Sequence, residues 1–128
     1  QPVDPLFAFG QVGRVSVVLS NTYTVTVAAG NNRYGAGNKF YIDGVVSPLL
    51  TLEVGNTYKF DQSAGTNGTH PLRFSSTPNG TWGGGVEYTS GVTVNGVPGN
   101  AGAYTEITVP VGAPFLFYYC TNHSGMGS

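Results

Sequence analysis

Apolar and polar side chains alternate with a period of two along most of the chain. In the run at 22–27, Tyr23, Val25 and Val27 share one face and three threonines share the other. Such alternation is typical of half-buried β-strands, because successive side chains of a strand point to opposite faces. No amphipathic helix of useful length is predicted. The predicted strands lie at 15–19, 22–27, 39–43, 49–54, 57–61, 70–74, 103–109 and 115–120.

Glycine, asparagine and proline mark the segments between these strands. We interpret 75–103 as an insertion of one or two short hairpins over the fold, placed before the strand that carries Cys120. Asn95-Gly96 is a strong hairpin signal between Val94 and Val97, although Pro98 limits how far the second arm can pair. Two further segments are predicted to be loops, at 28–38 (AAGNNRYGAGN) and 62–68.

The first segment, Gln1 to Gly13, lacks the residue pattern of the first strand of a β-sandwich. Its two prolines and the apolar side chains of Leu6, Phe7 and Phe9 indicate an extended arm that has to pack on something. We expect this arm either to fold back on its own domain or to reach a neighbouring subunit. The predicted organisation is an arm at 1–13 followed by one β-sandwich at 14–128.

Composition agrees with a single all-β domain. The 128 residues include 20 glycines, only 9% are charged, and strand-favouring Val, Thr, Tyr and Phe are frequent. A net charge of -1 provides no field that would attract nucleic acid. No apolar run approaches the roughly 20 residues of a membrane-spanning helix. The low charge is compatible with a subunit of an assembly. Because the chain begins at Gln1 without a methionine, we expect a processed product or a piece of a longer one.

Residues with metal-binding chemistry are concentrated near the C-terminus. The only cysteine, Cys120, is followed by His123 and by the only methionine, Met126, in the spacing Cys-x-x-His-x-x-Met. The other histidine, His70, continues the inward-facing row of its strand, and Cys120 does the same in the last strand. A thiolate and two imidazoles with a weakly held axial thioether form the ligand set that suits a blue-copper centre.

At this point the chain resembles the cupredoxin family of amicyanin-like and plastocyanin-like blue-copper proteins. The resemblance covers 39–126 and rests on YKF, a lone histidine that opens a strand, and YTEITVPVGAPFLFYYCTNH, in the family's order. It implies a Greek-key β-sandwich with one copper ion that cycles between Cu(I) and Cu(II). The implied ligands are His70, Cys120, His123 and Met126.

Other chemistry is open to the same residues. Zinc could occupy the Cys and His ligands, but structural zinc sites normally use four nitrogen or sulfur ligands and no thioether. A nucleophilic pair of Cys120 and His123 would need a third orienting group or a helix N-terminus, and neither is evident. We therefore expect no enzyme. The Asn-x-Ser/Thr patterns at Asn67, Asn79 and Asn122 are interpreted as turns.

Two departures from the electron carriers of this family are visible. Pro71 stands where those proteins usually have an asparagine that braces the cysteine loop, and Thr69, Asn122 and Ser124 are the candidates to replace it. The carriers also continue past the axial methionine into a final strand, whereas this chain stops two residues beyond Met126. We therefore expect a tail without a downstream anchor, and a strand position left free for the N-terminal arm.

A narrower resemblance concerns DGV, YKFDQS, HPLRFS, GGGVEYT and YYCTNHSGMG, which look like cupredoxin-like modules of marine bacteriophage virion or fibre proteins. It implies a structural subunit, either decoration or fibre, at an extracellular or virion surface, and a homo-oligomer or larger assembly formed through the arm. The first alternative is a diffusible, periplasmic electron carrier with a redox partner. The second is a β-sandwich adhesion module whose metal site is empty.

Overall fold

The computed structural model describes residues 20–128. The arm predicted at 1–13 and the strand predicted at 15–19 lie outside the described residues. Within them, the helical elements are two 3-10 turns, Gly65–Asn67 and Gly80–Gly83, and no helix is long and apolar enough to cross a membrane. The strands are β1 (Ser20–Asn32), β2 (Gly35–Ile42), β3 (Val45–Val46), β4 (Thr57–Asp61), β5 (Leu72–Ser75), β6 (Val92–Asn95), β7 (Tyr104–Thr108) and β8 (Phe117–Cys120).

The strands form two sheets. The larger sheet has the order β3-β2-β1-β4-β7-β6, and the smaller one pairs β5 with β8. Strands β1 and β4 are parallel, whereas the other neighbouring pairs are antiparallel. The all-β class that the sequence predicts is therefore confirmed for the described residues.

Aromatic rings join the two sheets across a common core. The ring of Phe60 in β4 lies 5.3 Å from that of Phe74 in β5 and 6.5 Å from that of Tyr118 in β8. These side chains belong to one buried cluster that draws on both sheets. Burial of that apolar surface is the main favourable term for such a fold, at about 25 cal/mol per Å². The architecture is sandwich-like.

Most of the predicted strands are confirmed. The alternation at 22–27 lies within β1, and its valines are buried while Thr22 and Thr24 are exposed. The runs at 57–61 and 103–109 correspond to β4 and β7. In each case the period of two identified the face that packs into the core.

The loop predicted at 28–38 is wrong, because this segment continues β1 and β2 as a long antiparallel ladder. The Cα partners extend to Asn32 and Gly35, and only Arg33 and Tyr34 form the turn. The Asn32 side-chain oxygen accepts the Tyr34 N–H at 2.8 Å and so closes the turn locally. Gly35, with φ of 97°, re-enters the ladder directly after it.

The strand predicted at 49–54 is also wrong. No strand among residues 20–128 pairs with this segment. Leu50 and Leu52 still pack against the core, as the alternation predicted, but Val54 is 54% exposed. The pattern identified two of the three inward-facing side chains and did not reveal that the backbone has no neighbouring strand within residues 20–128.

The hairpin predicted between Val94 and Val97 does not form. β6 ends at Asn95 and pairs with β7 across the loop at 96–103. Pro98 lies in that loop, and the next N–H, that of Gly99, donates to the Gln62 carbonyl at 2.8 Å. The competing contact explains why the chain does not turn back at once.

The segment at 75–103 therefore does not form the separate insertion of short hairpins that the sequence predicted. Its later part supplies β6, an edge strand of the larger sheet. Its earlier part contains the turn Gly80–Gly83 and an isolated bridge between Phe74 and Tyr88 beside the smaller sheet. This earlier part contributes two side chains that contact the candidate metal centre.

Candidate metal centre

Strands β5 and β8 bring two predicted ligands together at one end of the smaller sheet. Leu72 at the start of β5 pairs with Cys120 at the end of β8. One step further, the Thr121 N–H donates to the Pro71 carbonyl at 3.1 Å. His70 and Cys120 are both buried, which confirms that they continue the inward-facing rows.

The donor atoms of His70, Cys120 and His123 converge. Cys120 Sγ lies 3.8 Å from His70 Nδ1 and 3.6 Å from His123 Nδ1. The two imidazole centroids are 4.7 Å apart, and one donor atom from each of the three side chains lies within 4.8 Å of the others. Among residues 20–128, these are the three His, Cys, Asp or Glu side chains arranged to share an ion.

The three side chains differ in exposure. Cys120 is completely buried, and His70 is 8% exposed. His123 is exposed and lines a surface cavity together with Tyr34, Lys39, Asn79 and Met126. The arrangement therefore has two buried donors and one imidazole at the protein surface.

A buried polar network holds the His70 backbone. The His70 N–H donates to the Asn67 carbonyl at 2.8 Å, and Gln62 Nε2 donates to the His70 carbonyl at 2.7 Å. Gln62 Nε2 also donates to Asn67 Oδ1 at 3.0 Å, while Gln62 Oε1 accepts the Leu72 N–H at 2.9 Å. A network whose members are all bonded rigidifies its surroundings, so the first ligand is fixed from both sides of its backbone.

The cysteine has its own supports. The indole N–H of Trp82 donates to the Cys120 carbonyl at 2.9 Å. The backbone N–H groups of Asn122 and His123 donate to the Cys120 sulfur. Donors aimed at a sulfur favour its thiolate form, which is the form that ligates metals.

The pKa values of the buried ligands are displaced by their surroundings. Burial raises the pKa of the Cys120 thiol, and the two backbone N–H donors oppose this rise. Burial lowers the pKa of His70, and the neighbouring His123 lowers it further. His70 is therefore biased toward the neutral imidazole that a metal requires, whereas binding at Cys120 has to release a proton.

The brace predicted to replace the family's asparagine is found in part. Asn122 Nδ2 donates to the Thr69 carbonyl at 3.0 Å and thus links the Cys120 loop to the His70 loop. Thr69 takes φ of 68°, a strained value for a β-branched residue. Ser124, the third candidate, accepts a hydrogen bond from Asn79 instead.

The tail predicted to lack an anchor is in fact firmly held, and that prediction is wrong. The Phe40 N–H donates to the Met126 carbonyl at 3.0 Å, and Ser47 Oγ donates to the same oxygen at 3.1 Å. The Ser128 N–H donates to the Tyr118 carbonyl at 3.1 Å. Residues 126–128 are thus hydrogen-bonded to the backbones of β2 and β8.

The residue before the methionine is held just as closely. The Gly125 carbonyl accepts hydrogen bonds from Asn32 Nδ2 at 2.9 Å and Lys39 Nζ at 2.7 Å. The Gly125 N–H donates to Asn79 Oδ1 at 2.8 Å. Met126 itself is 1% exposed and belongs to the core cluster. Its role as the fourth ligand stays a prediction.

Sequence reasoning missed four residues that support the site: Lys39, Gln62, Asn79 and Trp82. The local pattern does not mark Lys39, Asn79 or Trp82, because each acts on a residue at least 38 positions away in sequence. Gln62 carried the clearest signal, since it is a polar residue two positions beyond Phe60 on the inward-facing row. Comparison of the chain with protein-family models, curated proteins and solved structures gave no match.

Proposed function

We propose that this chain is a cupredoxin-like Greek-key β-sandwich that binds one copper ion. His70, Cys120 and His123 would hold the ion, with Met126 as a fourth, weaker ligand. The observation that carries the proposal is the convergence of two imidazole nitrogens on one thiol sulfur at 3.6 and 3.8 Å. When bound, copper supplies a one-electron couple between Cu(I) and Cu(II).

The donor spacing fits a shared ion. For zinc, typical bonds are about 2.3 Å to sulfur and about 2.0 Å to nitrogen, and an angle of about 120° then separates the two donors by roughly 3.7 Å. The observed sulfur-to-nitrogen separations are 3.6 and 3.8 Å. Each imidazole nitrogen therefore lies at the distance from the sulfur that two ligands of one ion would have.

The chemistry of the donors favours copper over zinc. A structural zinc site would need a fourth nitrogen or sulfur ligand, and among residues 20–128 the group contains three His, Cys, Asp or Glu side chains. The remaining soft donor nearby in sequence is the Met126 thioether. One thiolate, two imidazoles and a weak thioether match a blue-copper centre.

For the biological role we propose a structural subunit, decoration or fibre, at an extracellular or virion surface. Exposed apolar side chains support an assembled state, because large apolar patches on soluble monomers are uncommon. Phe115 is 64% exposed and Val54 is 54% exposed, and both border one groove with Leu50 and Leu116. Copper would then stabilise the subunit, since a ligand held only by the folded state adds stability by mass action.

A second candidate, the diffusible electron carrier, is favoured by the exposure of His123. An imidazole ligand at the surface offers a partner protein a short route to the ion. The tail anchored through Gly125 and Met126 also favours this reading, because ligands held in place beforehand change little between the two copper oxidation states. In that case the protein would be periplasmic and would need a redox partner.

Copper titration tests the proposal. One equivalent of Cu(II) should bind, and a free concentration of 1,000 times the Kd should add about 4 kcal/mol of stability and raise the melting temperature by roughly 15 °C. Cys120→Ser should lose this shift, and a chelator should reverse it in the wild type. If the wild-type melting temperature does not change, only a metal-free adhesion module remains.

Light scattering separates the two roles. A structural subunit should form an ordered assembly, and a carrier should be a stable monomer that is reduced and reoxidised rapidly and repeatedly. A monomer that cycles in this way would contradict the structural role and leave the copper site intact.

A further inference from the structure

We propose that Lys39 is a positioning and charge-supplying residue that shifts the copper couple toward Cu(I). The inference rests on the proposed copper site and goes beyond it by assigning the control of its reduction potential to a specific side chain. Lys39 lies in β2, far in sequence from all four candidate ligands.

Lys39 is unusual because its side chain is buried. It is 3% exposed, although lysine is almost never fully buried without a partner. Burial lowers its pKa. Its neighbour Phe40 packs into the core on the opposite face of the sheet, so the lysine side chain is covered on the outer face instead.

The covering groups belong to the candidate metal centre. Lys39 Nζ donates to the Gly125 carbonyl at 2.7 Å, immediately before Met126. Lys39 lines the same cavity as His123, Ser124 and Met126. The ion pair found among residues 20–128 joins Arg73 to Glu87, so the described partner of the Lys39 ammonium is a neutral carbonyl. Its positive charge therefore lies beside the site, with no ion-paired carboxylate among residues 20–128 to offset it.

The charges of the site determine the direction of the effect. With a Cys120 thiolate and neutral imidazoles, the site carries one positive charge with Cu(II) and none with Cu(I). The Lys39 ammonium repels the first state and leaves the second unaffected. The one-electron reduction, Cu(II) + e⁻ → Cu(I), is thereby favoured. Two unit charges about 12 Å apart at a protein dielectric of about 20 change such an equilibrium about tenfold, which corresponds to about 59 mV for a one-electron couple.

Three substitutions separate charge from hydrogen bonding. Lys39→Arg keeps both, Lys39→Gln keeps a donor without the charge, and Lys39→Met removes both. Lys59→Met is the matched control, because Lys59 lies on β4 with its ammonium over the Tyr104 ring and lines a different cavity. Each full-length variant is loaded with one equivalent of Cu(II), titrated with ascorbate for its potential, and competed with a Cu(I) chelator for its Cu(I) affinity. The melting temperature without copper verifies that each variant is folded.

The inference predicts that Lys39→Gln and Lys39→Met lower the potential by about 59 mV, while Lys39→Arg and Lys59→Met leave it unchanged. If the reduction potential changes in Lys39→Met but not in Lys39→Gln, Lys39 acts only through its hydrogen bond, and the role of its charge is overturned. If the wild type and the Lys39 variants each bind one copper ion at the same reduction potential, the inference is overturned and the proposed copper site stands. Failure of the wild type to bind copper would overturn both proposals.

Lysine acetylation replaces the substitutions if the Lys39 variants do not fold. Lys39 and Lys59 are the two lysines of the chain, so acetylation of folded Lys59→Met removes the Lys39 charge and, besides it, only that of the α-amino group of Gln1. Mass spectrometry verifies that Lys39 is modified. The potential of the acetylated Lys59→Met protein should then fall by about 59 mV. An unchanged potential in that protein would overturn the inference.

Discussion

Single residues of the segment 79–84 determine how the candidate metal centre is supported. Asn79 takes φ of 63° and bonds to Gly125, and Trp82 bonds to the Cys120 carbonyl. Between them, Gly80 takes φ of 55° and lies against the Tyr119 ring. The absence of a side chain at Gly80 therefore lets this segment pack onto the strand that carries the cysteine.

Gly80→Ala should destabilise the protein by roughly 2–4 kcal/mol, because its new Cβ would collide with the Tyr119 ring in a left-handed conformation. Gly84→Ala is the matched control. Gly84 takes φ of 88° but has no neighbouring atom within 4 Å of the position that a Cβ would occupy, so only the conformational cost of about 1–2 kcal/mol applies. Urea unfolding measures both, and equal losses would contradict the close contact.

The candidate ligands could be predicted at this scale. Cys120, His123 and Met126 are rare residue types at a spacing with chemical meaning, and His70 was placed by the period of two. The supporting residues could not be predicted, because Lys39 and Gln62 act through the folded chain. A polar residue in an inward-facing row indicates a buried network, but the row does not identify the partners.

At the scale of elements, the hairpin of β1 and β2 is also an anchor for the C-terminal tail. Asn32 stands at the end of β1, where its side chain donates to the carbonyls of Gly125 and Gly127 at 2.9 and 3.3 Å. It also donates to Ser47 Oγ at 3.0 Å. A turn in the first hairpin therefore fixes the residues on both sides of Met126.

Asn32→Ala should lower stability by roughly 1–3 kcal/mol, because the tail carbonyls lose a shared donor. It should also weaken copper binding by loosening the position of Met126. Asn31→Ala is the control, since Asn31 is exposed on the same hairpin and its replacement should change stability by less than about 0.5 kcal/mol. The two are compared by urea unfolding and copper titration. Equal behaviour would show that the tail does not depend on Asn32.

The two segments whose secondary structure was mispredicted, 28–38 and 49–54, have a common physical feature. Glycine and asparagine at 28–38 indicated a loop, but neighbouring strands supplied a ladder that local preference did not reveal. At 49–54 the side-chain pattern of a strand was present, but no partner strand lies in the described part of the chain. Alternation reports which face is buried, and pairing depends on contacts between residues that are distant in sequence.

For the whole molecule, the anchored tail changes the balance between the two proposed roles. A loose tail would favour assembly, and the hydrogen bonds of residues 126–128 remove that support. The exposed apolar groove around Phe115 and Val54 remains as support for assembly. Copper binding is common to both roles.

Deletion of residues 1–13 should leave copper binding unchanged, because all four candidate ligands lie at 70–126. If the arm joins subunits, as proposed, the deletion should also convert an ordered assembly into smaller species. Light scattering and copper stoichiometry measured on the same samples check both expectations. Loss of copper binding with the assembly intact would contradict the proposal that the arm joins subunits and takes no part in copper binding.

The visible absorption spectrum tests most directly whether His70, Cys120 and His123 bind copper through the cysteine thiolate. Addition of one equivalent of Cu(II) to the wild type should produce an intense blue sulfur-to-copper band that saturates at one ion per chain. Cys120→Ser should show no such band. A colourless wild-type protein, or an equally intense band in Cys120→Ser, would contradict copper binding by the Cys120 thiolate.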